Sequence, residues 1–156
     1  MKVLVQRSGK SSVSVSSKVV GKIDSGLVLF VGFTEGDDIS NINYLVKKVL
    51  NLRIFPDENG VMNKSTLDYG GSILSISQFT LYADTKKGNR PSYINALSGE
   101  YSSKLYDEFN KVLSESIHVE TGIFGADMEV DITNIGPTTI MLERWFYAVS
   151  YTHLRA

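Results

Sequence analysis

Apolar and polar residues alternate through the first quarter of the chain, and the period then changes. Lys2–Gln6 (KVLVQ), Ser12–Ser16 (SVSVS) and Val19–Ile23 (VVGKI) have the two-residue period of half-buried strands, broken by Ser, Gly and Lys turns. Gly26–Phe33 (GLVLFVGF) is apolar almost throughout and predicts a strand buried on both faces, so the N-terminal part is expected to be a β-meander. From Asp37 to Leu52 the spacing becomes helical: Ile39, Ile42, Leu45, Val46, Val49 and Leu50 fall on one face, behind an acidic start that supplies capping oxygens. A second amphipathic helix is expected over Ser98–Ser116, with Tyr101, Leu105, Phe109, Val112 and Leu113 on its apolar face. Between the helices lie a tight turn at Pro56–Gly60 (PDENG) and a strand at Ile73–Leu81; strands at Met128–Thr133 and Thr138–Leu142 follow, separated by a hairpin-like turn at Asn134–Pro137. Strands dominate, and two helices are enough to cover a sheet face. The expected fold is therefore α+β, with mixed, barrel-like β-sheets covered by two amphipathic helices.

Length and composition narrow the function classes. The 156 residues suit one domain with one sizeable core, and 42 % hydrophobic with 21 % charged residues is the balance of a globular protein. There is no cysteine, which excludes disulfides, a thiol nucleophile and a cysteine-ligated zinc. The opening MKVLVQRSGK is too short an apolar run for a signal peptide, and no stretch reaches the ~18 apolar residues of a membrane span, so a cytoplasmic protein without a membrane partner is expected. Sixteen Lys and Arg against seventeen Asp and Glu leave a net charge of −1. Any RNA must then be held by a local patch rather than by the field of the whole molecule.

Few residues carry recognisable chemistry. Of the two histidines, His118 follows the second helix and His153 lies near the C-terminus, neither within a motif, and surface or packing roles explain both. There is no HExxH, no glycine-rich phosphate loop and no EF-hand loop. The pair Asp37-Asp38 has the look of a metal site but is better explained as a helix start. Ser77-Gln78-Phe79-Thr80 reads on pattern as part of an amphipathic strand, and a threonine hydroxyl without a nearby base is a poor nucleophile. Asn134-Ile135-Gly136-Pro137-Thr138-Thr139 is explained by an ordinary turn. An X-Pro bond is cis in about 5–6 % of cases in folded proteins, so the sequence leaves the 136–137 bond open.

Taken together, several stretches resemble the D-aminoacyl-tRNA deacylases, also called D-tyrosyl-tRNA deacylases: MKVLVQR, Arg53-Ile54-Phe55 with Met62-Asn63, SQFTLYAD with Lys87-Gly88 and Arg90-Pro91-Ser92, Thr121–Met128 (TGIFGADM), and NIGPTT. The likeness covers Met1 to Leu142 in order and spacing. It implies a homodimeric, metal-free and cofactor-free hydrolase that cleaves the ester joining a D-amino acid to tRNA and recycles the mischarged tRNA. It further implies that Gly136-Pro137 is a cis dipeptide inserted from one subunit into the active site of the other, so that chirality is sensed by main-chain carbonyls near the α-amine. Ser77, Gln78, Phe79 and Thr80 then surround the ester carbonyl and stabilise its oxyanion, with Phe124 and Met128 as further substrate-binding residues. Phe124 is equally explained as a core aromatic.

With no base placed by sequence beside Thr80, hydrolysis assisted by the 2′-OH of the terminal adenosine is preferred to a threonine nucleophile. Lys86, Lys87 and Arg90 are candidates for phosphate contacts, with Lys47, Lys48 and Arg53 weaker ones; a solvated loop explains each about as well. Two features depart from the family: Ile135 stands where many relatives carry a polar or acidic residue, and the chain continues from Arg144 to Ala156 in an aromatic tail. One domain is therefore expected over 1–143, with an atypical tail over 144–156. Two other classes remain open, a catalytically inactive tRNA-binding module of the same fold and an esterase or amidohydrolase acting on small D-aminoacyl compounds.

Overall fold

The computed structural model describes residues 1–145. In chain order its elements are β1 (Lys2–Val15), β2 (Lys18–Ile23), β3 (Gly26–Gly32), α1 (Ile39–Asn51), β4 (Phe55–Pro56), β5 (Met62–Lys64), α2 (Thr66–Tyr69), β6 (Ser72–Ser77), a 3-10 turn (Phe79–Tyr82), α3 (Gly99–Ser114), β7 (Val119–Thr121) and β8 (Glu129–Glu143). The six-stranded sheet runs β2-β1-β3-β6-β7, with β8 also paired to β1. It is mixed: β1 is antiparallel to β2, β3 and β8, whereas β3-β6 and β6-β7 are parallel.

The two ends of this sheet approach each other, which makes it barrel-like. Gly21 on β2 sits where an added Cβ would lie 2.8 Å from the Thr121 carbonyl oxygen of β7, so only glycine permits this approach. One sheet face carries Val3, Val5, Leu27, Leu29 and Val31 against Ile42, Leu45 and Val49 of α1 and Leu105, Phe109 and Leu113 of α3. The other encloses Val13, Val28, Leu74 and Ile76, with Met128, Val130 and Ile132 packed on them. β3 is buried on both faces, as its continuous apolar run predicts.

Four expectations need correcting. The N-terminal part is no β-meander: β3 pairs with β1 rather than with β2, and the two pair with successive lengths of β1, β2 with Ser11–Val15 and β3 with Lys2–Ser8. The predicted strands Lys2–Gln6 and Ser12–Ser16 are one strand, β1, because β8 pairs along its whole length and register shifts around Ser8 absorb the irregularity near Gly9. For the same reason Asn134–Pro137 is no hairpin: β8 runs through it without reversing, and Gln6↔Thr139 and Ser8↔Asn134 remain paired across β1. The predicted strand Ile73–Leu81 stops at Ser77, and residues 79–82 turn into a 3-10 helix.

The helices are close to their predicted bounds. Asp38 caps α1 through a capping box: its carboxylate accepts from Ser40 N at 2.9 Å, and its own N–H donates to Asn41 Oδ1 at 3.0 Å. Asp37 does something different. Its buried carboxylate accepts from the Met1 ammonium at 2.9 Å and from Thr34 N at 2.8 Å. Burial pushes the Asp37 carboxyl up and the Met1 amine down from their ordinary values, against the mutual attraction that opposes both shifts. No helix among the described residues is long and apolar enough to cross a membrane. The aromatic run of the tail lies, from residue 146 onward, outside the described residues.

Candidate active site

The C-terminal end of β6 forms one wall of a cleft of about 570 Å³. The last rung of the parallel ladder is Gln78 N donating to Val31 O at 2.7 Å. Gln78 then adopts φ −147°, ψ 85°, and the chain turns. Ser77, Gln78 and Phe79 line the cleft; Tyr93, Leu97 and Ser102 lie on other walls, and Phe124 and Met128 complete it. The exposed Phe79 ring meets Tyr93 edge-on at 4.9 Å, and Phe124 leans on buried Tyr106 at 5.9 Å. Tyr106 is itself held by donating to Ser75 O at 2.7 Å.

The turn leaves specific donors unused. Leu81 N donates to Gln78 O at 3.3 Å and Ala83 N to Thr80 O at 3.1 Å, but the amides of Phe79 and Thr80 find no acceptor among the described residues. Two adjacent N–H groups thus lack partners, that of the cleft-lining Phe79 and that of Thr80 next to it in the chain. The Thr80 hydroxyl accepts from Gln78 Nε2 at 2.5 Å and is not a cleft-lining group. Among the described residues no His, Lys or carboxylate bonds to it. An amide donor on its oxygen lowers, rather than raises, its strength as a nucleophile.

The second motif is elsewhere. Gly136 and Pro137 are exposed on β8 and do not line the cleft of their own chain. The Gly136-Pro137 bond is cis, and Gly136 has φ +118°, a region that favours glycine. A Cβ on Gly136 would meet Thr138 Oγ1 at 2.7 Å and Arg7 Nη2 at 2.8 Å. Arg7 belongs to no candidate set read from the sequence, yet it holds this motif. Its Nε donates to Ile135 O at 3.2 Å and its Nη1 to Ile54 O at 2.6 Å, which ties the motif to the segment after α1. A signal was present: Arg7 has the same strand parity as buried Val3 and Val5, where alternation calls for an apolar residue. Asn134 Nδ2 and Gln6 Nε2 both donate to Thr139 Oγ1, at 2.9 and 3.2 Å.

The remaining candidates are peripheral. Lys86, Lys87 and Arg90 are exposed on a loop closed at its base by the paired Asp84 and Ser92 backbones. None of the three forms an ion pair among the described residues. Arg53 donates to Asn63 O at 3.1 Å, and Lys48 lies over the Tyr44 ring at 5.8 Å. His118 pairs with Glu120 at 2.8 Å on the surface. His153 is outside the described residues.

Comparison with known proteins bears on the fold and the family. A solved structure described as the c-Myc DNA Unwinding Element Binding Protein is similar at 37 % identity and TM-score 0.88, over 93 % of this chain and 99 % of that one. A probable eukaryotic D-amino acid tRNA deacylase shares the fold at TM-score 0.78 and 17 % identity, over 90 % of this chain and 97 % of that one. The family model for D-Tyr-tRNA(Tyr) deacylase matches residues 4–143. By that match the chain belongs to the D-Tyr-tRNA(Tyr) deacylase family.

Proposed function

We propose that this protein hydrolyses the ester between a D-amino acid and tRNA, and that each active site is built from two copies of the chain. The observation carrying this reading is the separation of the two motifs. Ser77, Gln78 and Phe79 line a cleft that lacks Gly136 and Pro137, while those two are exposed on a sheet face of the same chain. A second copy supplies what the cleft lacks. Ile135 and Met141, each 44 % exposed on β8, give that face the apolar area an isologous contact uses.

In the composite site the ester carbonyl sits at the rim, where the Phe79 and Thr80 amides stabilise its developing oxyanion. One such donor is worth about 3–4 kcal/mol, a large share of the task because an aminoacyl ester is already activated. The 2′-OH of the terminal adenosine orients the attacking water, since Thr80 has no base. The partner's Gly136 and Pro137 carbonyls accept from the α-amine and occupy the direction an L side chain takes, which rejects L-aminoacyl-tRNA without a side-chain pocket. Glycine, having no side chain to exclude, passes this filter. Lys86, Lys87 and Arg90 hold phosphates of the acceptor end.

The test is amino-acid release from D- and L-tyrosyl-tRNA and from a free D-tyrosine ester. Release from D-tyrosyl-tRNA alone supports the proposal. Binding without release indicates a tRNA-binding module, and equal cleavage of the free ester indicates a small-molecule esterase.

A further inference from the structure

A second cleft, also of about 570 Å³, opens on the other side of the Phe79–Tyr82 turn. The two clefts are neighbours at three places along the chain. Phe33 lines the first and Thr34 the second; Ala96 lines the first and Asn95 the second; Phe79 lines the first and Tyr82 the second. The ridge between them is pinned by Thr34 Oγ1 donating to Asn95 O and by Leu97 N donating to Phe33 O at 2.9 Å. A chain molecule seated in the first cleft therefore has a short route over this ridge into the second.

The second cleft carries cations and carboxylates together. Lys2 Nζ lies 4.7 Å from the centroid of the Tyr82 ring and makes a single long hydrogen bond, 3.4 Å, to Leu81 O. An ammonium has three donors, so Lys2 retains capacity for an incoming acceptor. Lys86 stands on an adjoining wall, its backbone N–H tied to Asp84 Oδ1 at 2.9 Å. The lining also includes Arg144, whose guanidinium lies over the Tyr44 ring at 4.3 Å, and the carboxylates of Glu35, Asp84 and Glu143. A wall with both signs is a poor trap for a bare anion. It suits a ligand that carries a phosphodiester beside a base with an exocyclic amino group, because carboxylates accept from cytosine N4 while lysines meet phosphate.

We propose that the second cleft holds the nucleotide on the 5′ side of the RNA's terminal nucleoside, with Lys2 and Lys86 on the phosphodiester that joins the two. The inference rests on the reading of the first cleft as the seat of the terminal nucleoside and its ester. It makes the turn that carries the free amides the divider between two successive nucleotide sites, so that occupancy of the second cleft orients the ester in the first.

The test uses unacylated ligands and needs no catalysis. Adenosine and the dinucleotide cytidylyl-(3′→5′)-adenosine are titrated into the protein and followed by NMR shifts, with a melting curve on each variant as a check of folding. The dinucleotide adds one phosphate that Lys2 and Lys86 hold jointly, so it should bind about tenfold more tightly than adenosine. Lys2→Met or Lys86→Ala brings the two ligands within about twofold of each other and flattens the salt dependence of dinucleotide binding by about one phosphate. Equal affinity of both ligands for the unaltered protein, or a ratio that survives in both variants, overturns the second cleft alone. Absence of adenosine binding, with no release from D-tyrosyl-tRNA, overturns the reading of the first cleft and this inference with it.

Discussion

The end of β6 and the middle of β8 begin alike, as alternating strands interrupted by polar residues, and they end as opposites. At Ser77 the ladder stops, and the chain turns to leave two adjacent amides without partners, the first of them on cleft-lining Phe79. At Asn134 the ladder continues, and the motif is pushed outward, with Arg7 bonded to the carbonyl immediately before Gly136. One region is a hollow of donors; the other is a projection bearing carbonyl acceptors. In the proposed function each supplies what the other lacks, with two copies of the chain completing the site.

Three substitutions sharpen this contrast, each read as kcat/KM on D-tyrosyl-tRNA. The largest effect is expected from Phe79→Pro. Gln78, at φ −147° and ψ 85°, lies outside the α region that a following proline disfavours, so proline is tolerated, but the Phe79 donor is lost. Turnover should fall about 10²–10³-fold below that of Phe79→Ala, which removes the same ring and keeps the N–H. Equal activity of the two variants would show that this amide does not stabilise the oxyanion.

Gly136→Ala comes next. The added Cβ would lie 2.7–2.8 Å from the Thr138 and Arg7 side chains, in a backbone region L residues avoid. A displacement of roughly 1 Å at a reacting centre costs about a hundredfold, and the melting temperature should also fall by a few degrees, because the backbone strain destabilises the folded state even at an exposed site. The smallest effect is expected for Thr80→Ala, within about threefold of the unaltered protein, because removing a group that lacks a base costs little. Abolished turnover in a folded Thr80→Ala protein would restore threonine as the nucleophile.

The contrast also marks what the sequence could and could not disclose. The helices were legible because their apolar residues recur at a period no strand uses, and because Asp38 announces the start of α1. The doubly buried β3 was legible from its unbroken apolar run. Gly9 and Gly136-Pro137 read as punctuation, yet neither ends a strand, because pairing between β1 and β8, far apart in the chain, overrides local signals. The stop at Ser77 was hidden for a related reason: SQFTLY has a good strand pattern, and its turn is decided by bonds from Leu81 and Ala83 back to Gln78 and Thr80. Of the site, the motif residues were visible only through their resemblance to a family. Arg7 was visible through a broken alternation that invited a question, and the second cleft left no pattern, since its walls come from five separate segments of the chain.

Complementation tests the shared site most directly. Phe79→Pro and Gly136→Ala subunits, each nearly inactive alone, are co-expressed with different affinity tags, and the mixed dimer is purified. One of its two sites combines an intact Phe79 amide with an intact Gly136-Pro137 projection from the other subunit, and the second site carries both lesions. The account predicts about half the unaltered dimer's activity on D-tyrosyl-tRNA. Activity no greater than that of the two parents would mean that each chain builds its site alone, and would contradict it.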